Sequence, residues 1–379
     1  MTEAVALAPE RAVAYAAAPI ETVRASAYKI PTDKPEADGT FSWDHTVLVL
    51  VEAEAGGKTG IGYSYTGTAA VPLIGGLLAE VVKQCDAADP PRAWRAMNRK
   101  VRNVGRDGLA ATAISAVDVA LWDLKAKLLD EPLARLFGRY RDEVPIYGSG
   151  GFTTYSDEDI RAQLSRWVEE DGCRFVKIKV GSEPERDPHR VRVAKSAIGD
   201  NKLFVDANGA YSVKQALTLA QYFADDADVR WLEEPVSSDD LGGLAYVRAR
   251  SPSQTEIAAG EYGYDTDYFR TMLAAQAIDV QQADATRCGG YTGFLQVAAL
   301  CEAHHVPLSA HCGPAVHLPV ACAAPRFRHQ EWFHDHVRIE HMLFDGAPVP
   351  RDGAIRPDLT RAGHGLLFKH KDAERFRVA

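Results

Sequence analysis

The stretch around which the sequence is organised reads Phe175-Val-Lys-Ile-Lys-Val180. Its branched and aromatic residues are typical of a short β-strand. Because side chains alternate across a strand, Lys177 and Lys179 share one face, while Val176 and Ile178 share the other. Taken alone, two lysines on one face indicate a solvated edge strand more often than a functional pair, since buried ammonium groups are costly. The residues further along the chain favour the functional interpretation.

Five more ionisable residues end short apolar runs, at intervals of 23 to 28 residues: Asp206, Glu233, Glu261, Asp284 and His311. A helix-like stretch follows each run. This repeat predicts an α/β fold, a modified (β/α)8 barrel in which catalytic groups lie at the C-terminal ends of several strands. We predict the eight barrel strands at Val144–Tyr147, Phe175–Val180, Leu203–Asp206, Arg230–Leu232, Glu256–Ala259, Ile278–Gln281, Val306–Ala310 and Gln330–Phe333.

Composition limits the classes of protein that fit. A chain of 379 residues, 46% hydrophobic and 25% charged, is typical of a globular protein with a large core and two domains. The net charge of −9 argues against nucleic acid or an anionic membrane surface as a partner, and no apolar run reaches the length of a membrane span. Six cysteines without a CxxC spacing favour a reduced, cytoplasmic protein.

The pattern changes along the chain divide it into four parts. We expect a loose tail at 1–18, an α+β capping domain at 19–140, the barrel at 141–340, and a turn-rich segment at 341–379 that returns to the capping domain. The N-terminus is rich in alanine, but charged residues and proline interrupt it, so it does not resemble a signal peptide.

In the capping domain we predict strands at Ile20–Tyr28, Thr46–Glu54 and Gly60–Tyr63. Helical periodicity follows at Val71–Gln84, Pro91–Val101, Leu109–Leu128 and Pro132–Phe137. Between the first two strands, Pro31–Trp43 is long and polar for a hairpin connection, and we expect it to be a loop that forms a lid over the barrel mouth.

Three carboxylates from adjacent strands, Asp206, Glu233 and Glu261, form a hard oxygen site suited to Mg²⁺. The alternative is three unrelated salt-bridge partners, which explains any one of them better than all three. Glu233 and Glu234 are expected to point to opposite strand faces, so only Glu233 serves as a ligand. Asn208 is expected beside the metal, within reach of a substrate oxygen.

Lys177 and Lys179 are expected about 7 Å apart on their strand face. Their repulsion, about 2.4 kcal/mol at an effective dielectric near 20, is worth roughly 1.7 pKa units. A divalent cation would lower the lysine pKa values too, whereas the carboxylates oppose this, and the net effect could leave one lysine neutral enough to act as a base near pH 7. Asp284 and His311 end consecutive strands and predict a dyad in which the carboxylate orients the imidazole. Alone, His311 would be a structural histidine. Glu331, on the last strand, could reach the same rim.

These residues resemble the mandelate racemase subgroup of the enolase superfamily. The resemblance rests on Lys177-x-Lys179, Asp206-x-Asn208, Glu233-x-Pro235, Gly260-Glu261, Asp284 and His311, with Ala116–Leu124 similar to the capping-domain helix signature and Cys288–Gly293 to the turn after the sixth strand. It implies a capping domain on a modified barrel. It also implies Asp206, Glu233 and Glu261 as Mg²⁺ ligands.

The resemblance further implies that Lys179 and His311 are bases on opposite faces of the substrate, and that Lys177 stabilises carboxylate charge. Glu331 matches the position of an acidic hydrogen-bond donor, although the sequence around it departs from the racemase pattern. His334 and His336 are interpreted as bridges to the capping domain rather than as site residues.

The implied reaction is abstraction of the α-proton of a 2-hydroxy acid through an enediolate, with dehydration of an acid sugar to a 2-keto-3-deoxy acid ranked first and racemisation or epimerisation second. The lysine that cycloisomerase and dipeptide epimerase members carry on the sixth strand is replaced by Asp284. A barrel that binds sugar acids without turning them over is a third hypothesis, but it would be expected to lose a base or a ligand. We expect a small sugar acid as partner, specificity in the segments 31–43 and 63–68, and a homo-oligomer.

Overall fold

The computed structural model describes residues 17–379. Its N-terminal part is an antiparallel sheet of three strands in the order β1-β2-β3: β1 Thr22–Ala37, β2 Ser42–Ala55 and β3 Lys58–Tyr65. Helices follow it: α1 Ala70–Pro72, a π-helical turn Leu73–Leu78, α2 Ala79–Val82, α3 Pro90–Lys100, α4 Leu109–Leu128 and α5 Leu133–Phe137. Most of the predicted tail lies outside the described residues. Ala18 is anchored, because its carbonyl accepts a hydrogen bond of 2.8 Å from the Ala87 N–H.

Helix α4 packs directly on the sheet because β3 carries glycine at the contact. A Cβ on Gly60 would lie 2.2 Å from the Ala120 carbonyl oxygen, and one on Gly62 would lie 2.3 Å from that of Ala116. Only a strand without side chains at these two positions allows the helix backbone to come so close. The buried face of α4, including Ile114, Val117 and Leu121, completes the core of this unit.

The second unit is a closed parallel barrel, and all eight predicted strands are present with shifted ends. They are β4 Val144–Gly150, β5 Phe175–Lys179, β6 Lys202–Asp206, β7 Val229–Glu233, β8 Glu256–Ala259, β9 Val280–Ala283, β10 Leu308–Ala310 and β11 Phe327–Phe333. The helices between and after them are α6 Asp157–Glu169, α7 Asp187–Ile198, α8 Val213–Ala227, α9 Leu241–Arg248, α10 Thr266–Ala274, α11 Gly290–Ala303, α12 Pro314–Ala323 and α13 His334–Leu343. Pairing of β11 with β4, Gln330 opposite Ile146, closes the ring. The predicted fold class is confirmed.

Aromatic residues fill the lower part of the barrel interior. Phe204 and Trp231 stack with ring centroids 5.1 Å apart, and Tyr147 contacts Phe204 at 5.5 Å. The Lys177 ammonium lies 5.4 Å from the Tyr147 ring centroid, on the layer above. Because this apolar floor blocks the barrel, polar chemistry is confined to the C-terminal mouth of the strands.

The prediction of a loop at Pro31–Trp43 is wrong, because most of this segment is a β-hairpin. Strand β1 runs to Ala37, β2 begins at Ser42, and Glu36 pairs with Trp43 after an irregular register beyond Pro31. At the tip, Asp38 Oδ1 accepts hydrogen bonds from the backbone N–H groups of residues 40 and 41 at 2.6 and 2.7 Å. This Asp-Gly turn holds the strands together although prolines and charges obscure their alternation.

Helix α13 runs to Leu343, so the segment at 341–379 that was expected to be rich in turns begins in a helix. Ile339 and Leu343 are four residues apart and buried, so they hold α13 on the barrel. Beyond it lie β12 Phe344–Asp345, β13 Ala354–Ile355, β14 Leu367–Phe368, α14 His370–Ala373 and a 3₁₀ turn Glu374–Phe376.

The last residues of the segment contact the first strand of the capping sheet. The Ala27 N–H donates to the Ala379 carbonyl at 2.9 Å, and the Val378 N–H donates to the Ala27 carbonyl at 2.8 Å. The boundaries at 140 and 340 stay a prediction. Among residues 17–379, no helix is both long and apolar enough to cross a membrane.

Candidate active site

Three buried carboxylates meet at the barrel mouth. Asp206 ends β6, Glu233 ends β7 and Glu261 follows β8, and one oxygen of each lies within 4.8 Å of the others. Consecutive parallel strands end at the same edge, so the even spacing of the sequence becomes one cluster. Each of these residues is at most 4% exposed.

This donor set fits Mg²⁺. All three groups supply carboxylate oxygens, the ligands that a hard divalent cation prefers, and leave positions for water or substrate. Among the described residues, Glu261 Oε2 is buried without a hydrogen-bond donor. Burying a carboxylate oxygen in this way is costly, and a cation would offset that cost.

The two lysines of β5 lie inside the barrel rather than on a solvated edge. Lys177 Nζ lies 2.6 Å from Glu233 Oε1 and 3.4 Å from Asp206 Oδ2, and Lys179 Nζ lies 2.5 Å from Asp206 Oδ2. The apolar side chains of Val176 and Ile178 pack against the surrounding helices, as the alternation predicts.

In the cluster without its metal ion, the neighbouring carboxylates outweigh the repulsion that was expected to lower a lysine pKa. Burial lowers the pKa of Lys177, but the charges of Glu233 and Glu331 outweigh it and hold that pKa well above its usual value. Burial likewise lowers the pKa of Lys179, but the charges of Asp206, Glu261 and Glu233 outweigh burial and hold that pKa above its usual value. The pKa of Asp206 falls to about 2, because Lys179 and Lys177 outweigh the effect of its own burial.

Asp284 and His311 form the predicted pair. His311 Nδ1 lies 2.8 Å from Asp284 Oδ2, so Nδ1–H donates to the carboxylate and Nε2 faces the carboxylate cluster, 3.3 Å from Glu261 Oε2. Burial raises the pKa of Asp284, but the hydrogen bond with His311 and the charges nearby bring it below its usual value. Asp284 Oδ1 also accepts from the Thr286 N–H at 2.7 Å, which fixes the carboxylate.

Glu331 of β11 reaches the same cluster, as its position predicts. Its Oε1 lies 2.8 Å from Lys177 Nζ and accepts a hydrogen bond of 2.6 Å from Ser149 Oγ. Its Oε2 accepts from the Cys312 N–H at 2.9 Å. Cys312 is a residue that the sequence did not single out: its Sγ lies 3.3 Å from His311 Nε2.

Asn208 and Glu234 flank the carboxylates. Asn208 Oδ1 accepts a hydrogen bond of 3.2 Å from Lys179 Nζ, beside Asp206 as expected. Glu234 does not point to the outer strand face. The backbone leaves the strand at this residue, with φ 38°, and its buried carboxylate lines a neighbouring cavity of about 550 Å³ that also reaches Asn208.

A cavity of about 570 Å³ lies above the cluster and is lined from both units. The barrel contributes Lys179, Asn208, Glu261, Tyr262, Arg287, His311, Cys312, Phe333 and His336, and the cap contributes Asp38, Phe41, Trp43, His45, Thr46, Val47, Tyr65, Thr66 and Gly67. Both segments expected to carry specificity therefore line it. The sequence did not single out Arg287, although it follows Asp284 by three residues. Its Nη1 lies 3.6 Å from Glu261 Oε1.

The two histidines after β11 differ in their positions. His334 Nε2 lies 3.0 Å from Asp33 Oδ2 and bridges to the cap, as interpreted from the sequence. His336 lines the cavity instead: its Nδ1 accepts from the Gly313 N–H at 3.2 Å, and its ring stacks on Tyr65. Burial lowers the pKa of His336 to about 3, so it is neutral near pH 7.

Two family models match the chain. Residues 22–138 match the mandelate racemase / muconate lactonizing enzyme N-terminal domain, and residues 159–373 match the enolase C-terminal domain-like family. A 3,6-anhydro-alpha-L-galactonate cycloisomerase from Streptomyces coelicolor is 33% identical, over 95% of this chain and 99% of its own.

Solved structures agree with this assignment. A mandelate racemase/muconate lactonizing enzyme-like protein from Rubrobacter xylanophilus superposes with a TM-score of 0.93 at 48% identity, covering 95% of this chain and 99% of its own. An L-talarate/galactarate dehydratase from Salmonella typhimurium, liganded with Mg and L-lyxarohydroxamate, gives a TM-score of 0.87 at 28% identity, with 100% of this chain and 97% of its own covered. The chain belongs to the enolase superfamily, in the mandelate racemase and muconate lactonizing enzyme subgroup.

Proposed function

We propose that this chain is a Mg²⁺-dependent acid-sugar dehydratase. It removes the α-proton of a 2-hydroxy sugar acid and eliminates the 3-hydroxyl group as water, and the resulting enol becomes a 2-keto-3-deoxy acid. The observation that carries the proposal is the position of Lys179 and His311. Lys179 contacts Asp206 and His311 lies beside Glu261, so the two groups reach the same cavity from different sides of the carboxylate cluster.

The residues of the chain divide the work. Asp206, Glu233 and Glu261 would hold Mg²⁺, which when bound stabilises the negative charge that develops on the substrate carboxylate. Lys177 adds a fixed positive charge beside it, and Glu331 holds Lys177 in place. Lys179 or His311, according to substrate configuration, accepts the α-proton as the C–H bond breaks. Lys179 can serve as this base because the carboxylates that raise its pKa, Asp206, Glu261 and Glu233, are the groups whose charge a bound Mg²⁺ would offset.

The other group supplies the proton that the leaving hydroxyl needs. His311 is assigned as the acid, because an imidazolium donates readily near neutral pH. Asp284 keeps Nδ1 of that ring occupied, so Nε2 is the nitrogen that exchanges protons with the substrate. Asn208 and the cap residues over the cavity orient the hydroxyl groups.

Cycloisomerisation is the second candidate, favoured by the relative from Streptomyces coelicolor that matches nearly the whole chain. It begins with the same proton abstraction, but the C3–O bond that breaks belongs to an anhydro ring. Both candidates and the racemase alternative use the same cavity. They differ in their products: dehydration removes one water, whereas the isomerisations leave the mass unchanged.

A substrate screen tests the proposal. Mono- and diacid sugars and anhydro-sugar acids are incubated with enzyme and Mg²⁺, and products are followed by mass spectrometry and by a 2-keto assay. The dehydratase proposal expects a 2-keto product with the loss of one water. A keto product without a mass change supports cycloisomerisation, and inversion alone supports the racemase. The absence of Mg²⁺-dependent α-proton exchange with every acid would support the non-catalytic barrel.

The metal assignment is tested by isosteric substitution. Asp206→Asn, Glu233→Gln and Glu261→Gln should each lower kcat/KM by at least about 100-fold, because each removes one charged ligand oxygen. Circular dichroism should show an unchanged fold. Full activity of Glu233→Gln, or of the wild-type protein after exhaustive chelation, contradicts the assignment.

A further inference from the structure

A second cluster of metal-ligand side chains lies outside the active site, where the hairpin of β1 and β2 meets the barrel rim. It consists of Asp33 and Glu36 on β1 and His334 at the start of α13. One ligand atom of each lies within 4.8 Å of the others. Asp33 Oδ2 is 3.0 Å from His334 Nε2, so two members already touch across the boundary between cap and barrel.

The burial of Glu36 distinguishes this cluster from a group of acidic residues on the surface. Its side chain is fully buried, at 0% exposure. Its Oε2 accepts a hydrogen bond of 2.7 Å from Trp43 Nε1, whereas Oε1 is buried without a partner among residues 17–379. A carboxylate oxygen enclosed without a donor is costly unless a cation or a proton satisfies it.

The basic side chains of this region are committed elsewhere. Arg338 donates to Asp335 Oδ1 and, at 2.6 Å, to the Pro31 carbonyl. Lys34 pairs with Asp159 at the surface. The two carboxylates and the imidazole therefore keep oxygen and nitrogen lone pairs for another ligand.

We propose that Asp33, Glu36 and His334 form a second metal site, for Zn²⁺ or a similar first-row transition metal. One imidazole nitrogen with two carboxylate oxygens is a ligand set that suits Zn²⁺ and Co²⁺, whereas Mg²⁺ prefers oxygen alone. Three protein ligands leave one tetrahedral position for water. The site differs from the carboxylate cluster at the barrel mouth in both chemistry and place.

The position of this site gives it a role in holding the hairpin closed. Glu36 also bonds Trp43, which lines the main cavity, and His334 directly follows Phe333, which lines it as well. A metal bound to all three ligands fastens the hairpin to the barrel rim and keeps Trp43 over the cavity. Metal binding can be measured without turnover, so this proposal does not depend on the reaction assigned above.

Metal titration tests the site directly. Metal-free protein is first saturated with Mg²⁺ to occupy the hard oxygen site, and Zn²⁺ is then added in a calorimeter. The wild-type protein should bind one more equivalent of Zn²⁺ than His334→Gln or Asp33→Asn. In these variants the affinity of that equivalent should fall at least about 10- to 100-fold, the cost of losing even an outer-shell partner.

The matched control is His189→Gln. His189 and Asp157 form a surface pair with an N–O distance of 2.8 Å, like His334 and Asp33, but among residues 17–379 no third ligand completes it. This variant should bind the additional Zn²⁺ as the wild type does. Melting curves of the metal-free variants show whether each is folded before titration. Equal Zn²⁺ binding by folded wild type, Asp33→Asn and His334→Gln overturns the proposal.

Co²⁺ distinguishes this site from the group formed by His311, Cys312 and Glu331, which also lie close together. A site of oxygen and nitrogen ligands gives only weak visible bands, whereas a cysteine thiolate adds strong near-ultraviolet absorption. The proposal expects the weak bands and their loss in His334→Gln. A thiolate band that persists in His334→Gln would place the metal at Cys312 and overturn the proposal.

Hydrogen exchange tests the fastening role. Zn²⁺ should slow amide exchange in residues 31–43 of the wild type, and this slowing should be absent in His334→Gln. Zn²⁺ that binds without slowing exchange in the hairpin overturns the fastening role.

Discussion

Lys179 contacts Asp206, and His311 contacts Asp284. Because a different carboxylate holds each of them, single substitutions can separate their roles. His311→Asn removes the group proposed as the acid for the leaving hydroxyl but leaves Lys179 beside Asp206. We expect at least about a 100-fold loss of dehydration, with slow exchange of the α-proton into D₂O still present. Lys179→Ala should abolish that exchange for the same substrate. Dehydration and proton exchange are followed together by NMR.

Two results would contradict these roles. One is dehydration at the wild-type rate by His311→Asn, and the other is proton exchange that persists in Lys179→Ala. For a substrate of the opposite α-configuration the two roles should reverse, because the proton then faces the other group.

Asp284 is the second residue whose role can be isolated. Its carboxylate fixes the tautomer of His311, and Asp284→Asn keeps the size but presents an amide that can turn its NH₂ group toward Nδ1. We expect kcat to fall about 10²- to 10⁴-fold, with KM changed little. A mainly raised KM would indicate that Asp284 serves to bind substrate.

The positions of the carboxylates, the two lysines and His311 were predictable, but Arg287, Cys312 and the charge states of the site were not. Each functional residue follows an apolar run, so its place at the barrel mouth follows from the repeat. The pKa of Lys177 depends instead on distances of 2.6 and 2.8 Å to Glu233 and Glu331, which lie on other strands. From the sequence, only the repulsion between Lys177 and Lys179 can be given a magnitude, because the distances to carboxylates on other strands are not known.

At the scale of elements, the hairpin of β1 and β2 is the part expected to respond to ligand. Its tip touches the barrel: a Cβ on Gly39 would lie 2.5 Å from the Ala207 carbonyl oxygen and 2.6 Å from that of Val180. Gly39→Ala must therefore push the tip away from the mouth. We expect kcat/KM to fall roughly 10- to 100-fold, the size of effect that small misplacements cause.

The control for this change is Gly75→Ala, because a Cβ there meets no atom of the described residues within 4 Å. It should leave kcat/KM unchanged. Substrate with Mg²⁺ should also slow hydrogen exchange in residues 31–43 of the wild type, and less so in Gly39→Ala. Exchange that is unchanged at saturating substrate would show that the hairpin is ordinary surface.

The hairpin is also the element that the sequence predicted wrongly, as a loop. Barrel strands were found because each combines an apolar run with a following helix. The hairpin is held instead by the Asp38 turn and by the bond between Glu36 and Trp43, and prolines at 31 and 35 interrupt its alternation. Pairing between two irregular strands depends on contacts seven residues apart, which periodicity does not report.

At the scale of the whole molecule, Glu340 joins the two units. Its Oε1 accepts a hydrogen bond of 2.6 Å from Tyr63 of the cap, and its Oε2 accepts from the Ala315 N–H at 3.0 Å. Burial raises the pKa of Glu340 to about 8, although both hydrogen bonds oppose the change.

This raised pKa predicts a stability that depends on pH. Between about pH 4.5 and 8 the unfolded chain has released this proton while the folded protein keeps it, so stability falls as the pH rises, by at most about 1.4 kcal/mol per pH unit. Glu340→Gln carries no titrating proton. It should therefore lose less stability than the wild type across this window.

Urea unfolding at several pH values between 5 and 8.5 measures this difference. Glu302→Gln, an exposed change on α11, is the control and should follow the wild type at every pH. Parallel curves for wild type and Glu340→Gln would mean that Glu340 is ionised in the folded protein throughout.

The pairing of Ala27 with residues 378 and 379 has a consequence for recombination between relatives. The cap that covers the cavity is built from two pieces of chain, one before the barrel and one after it. A chimaera that exchanges only residues 19–140 would separate β1 from the segment that it evolved with. Transfer of substrate preference by cap exchange therefore requires both pieces, with the crossovers placed on either side of the barrel.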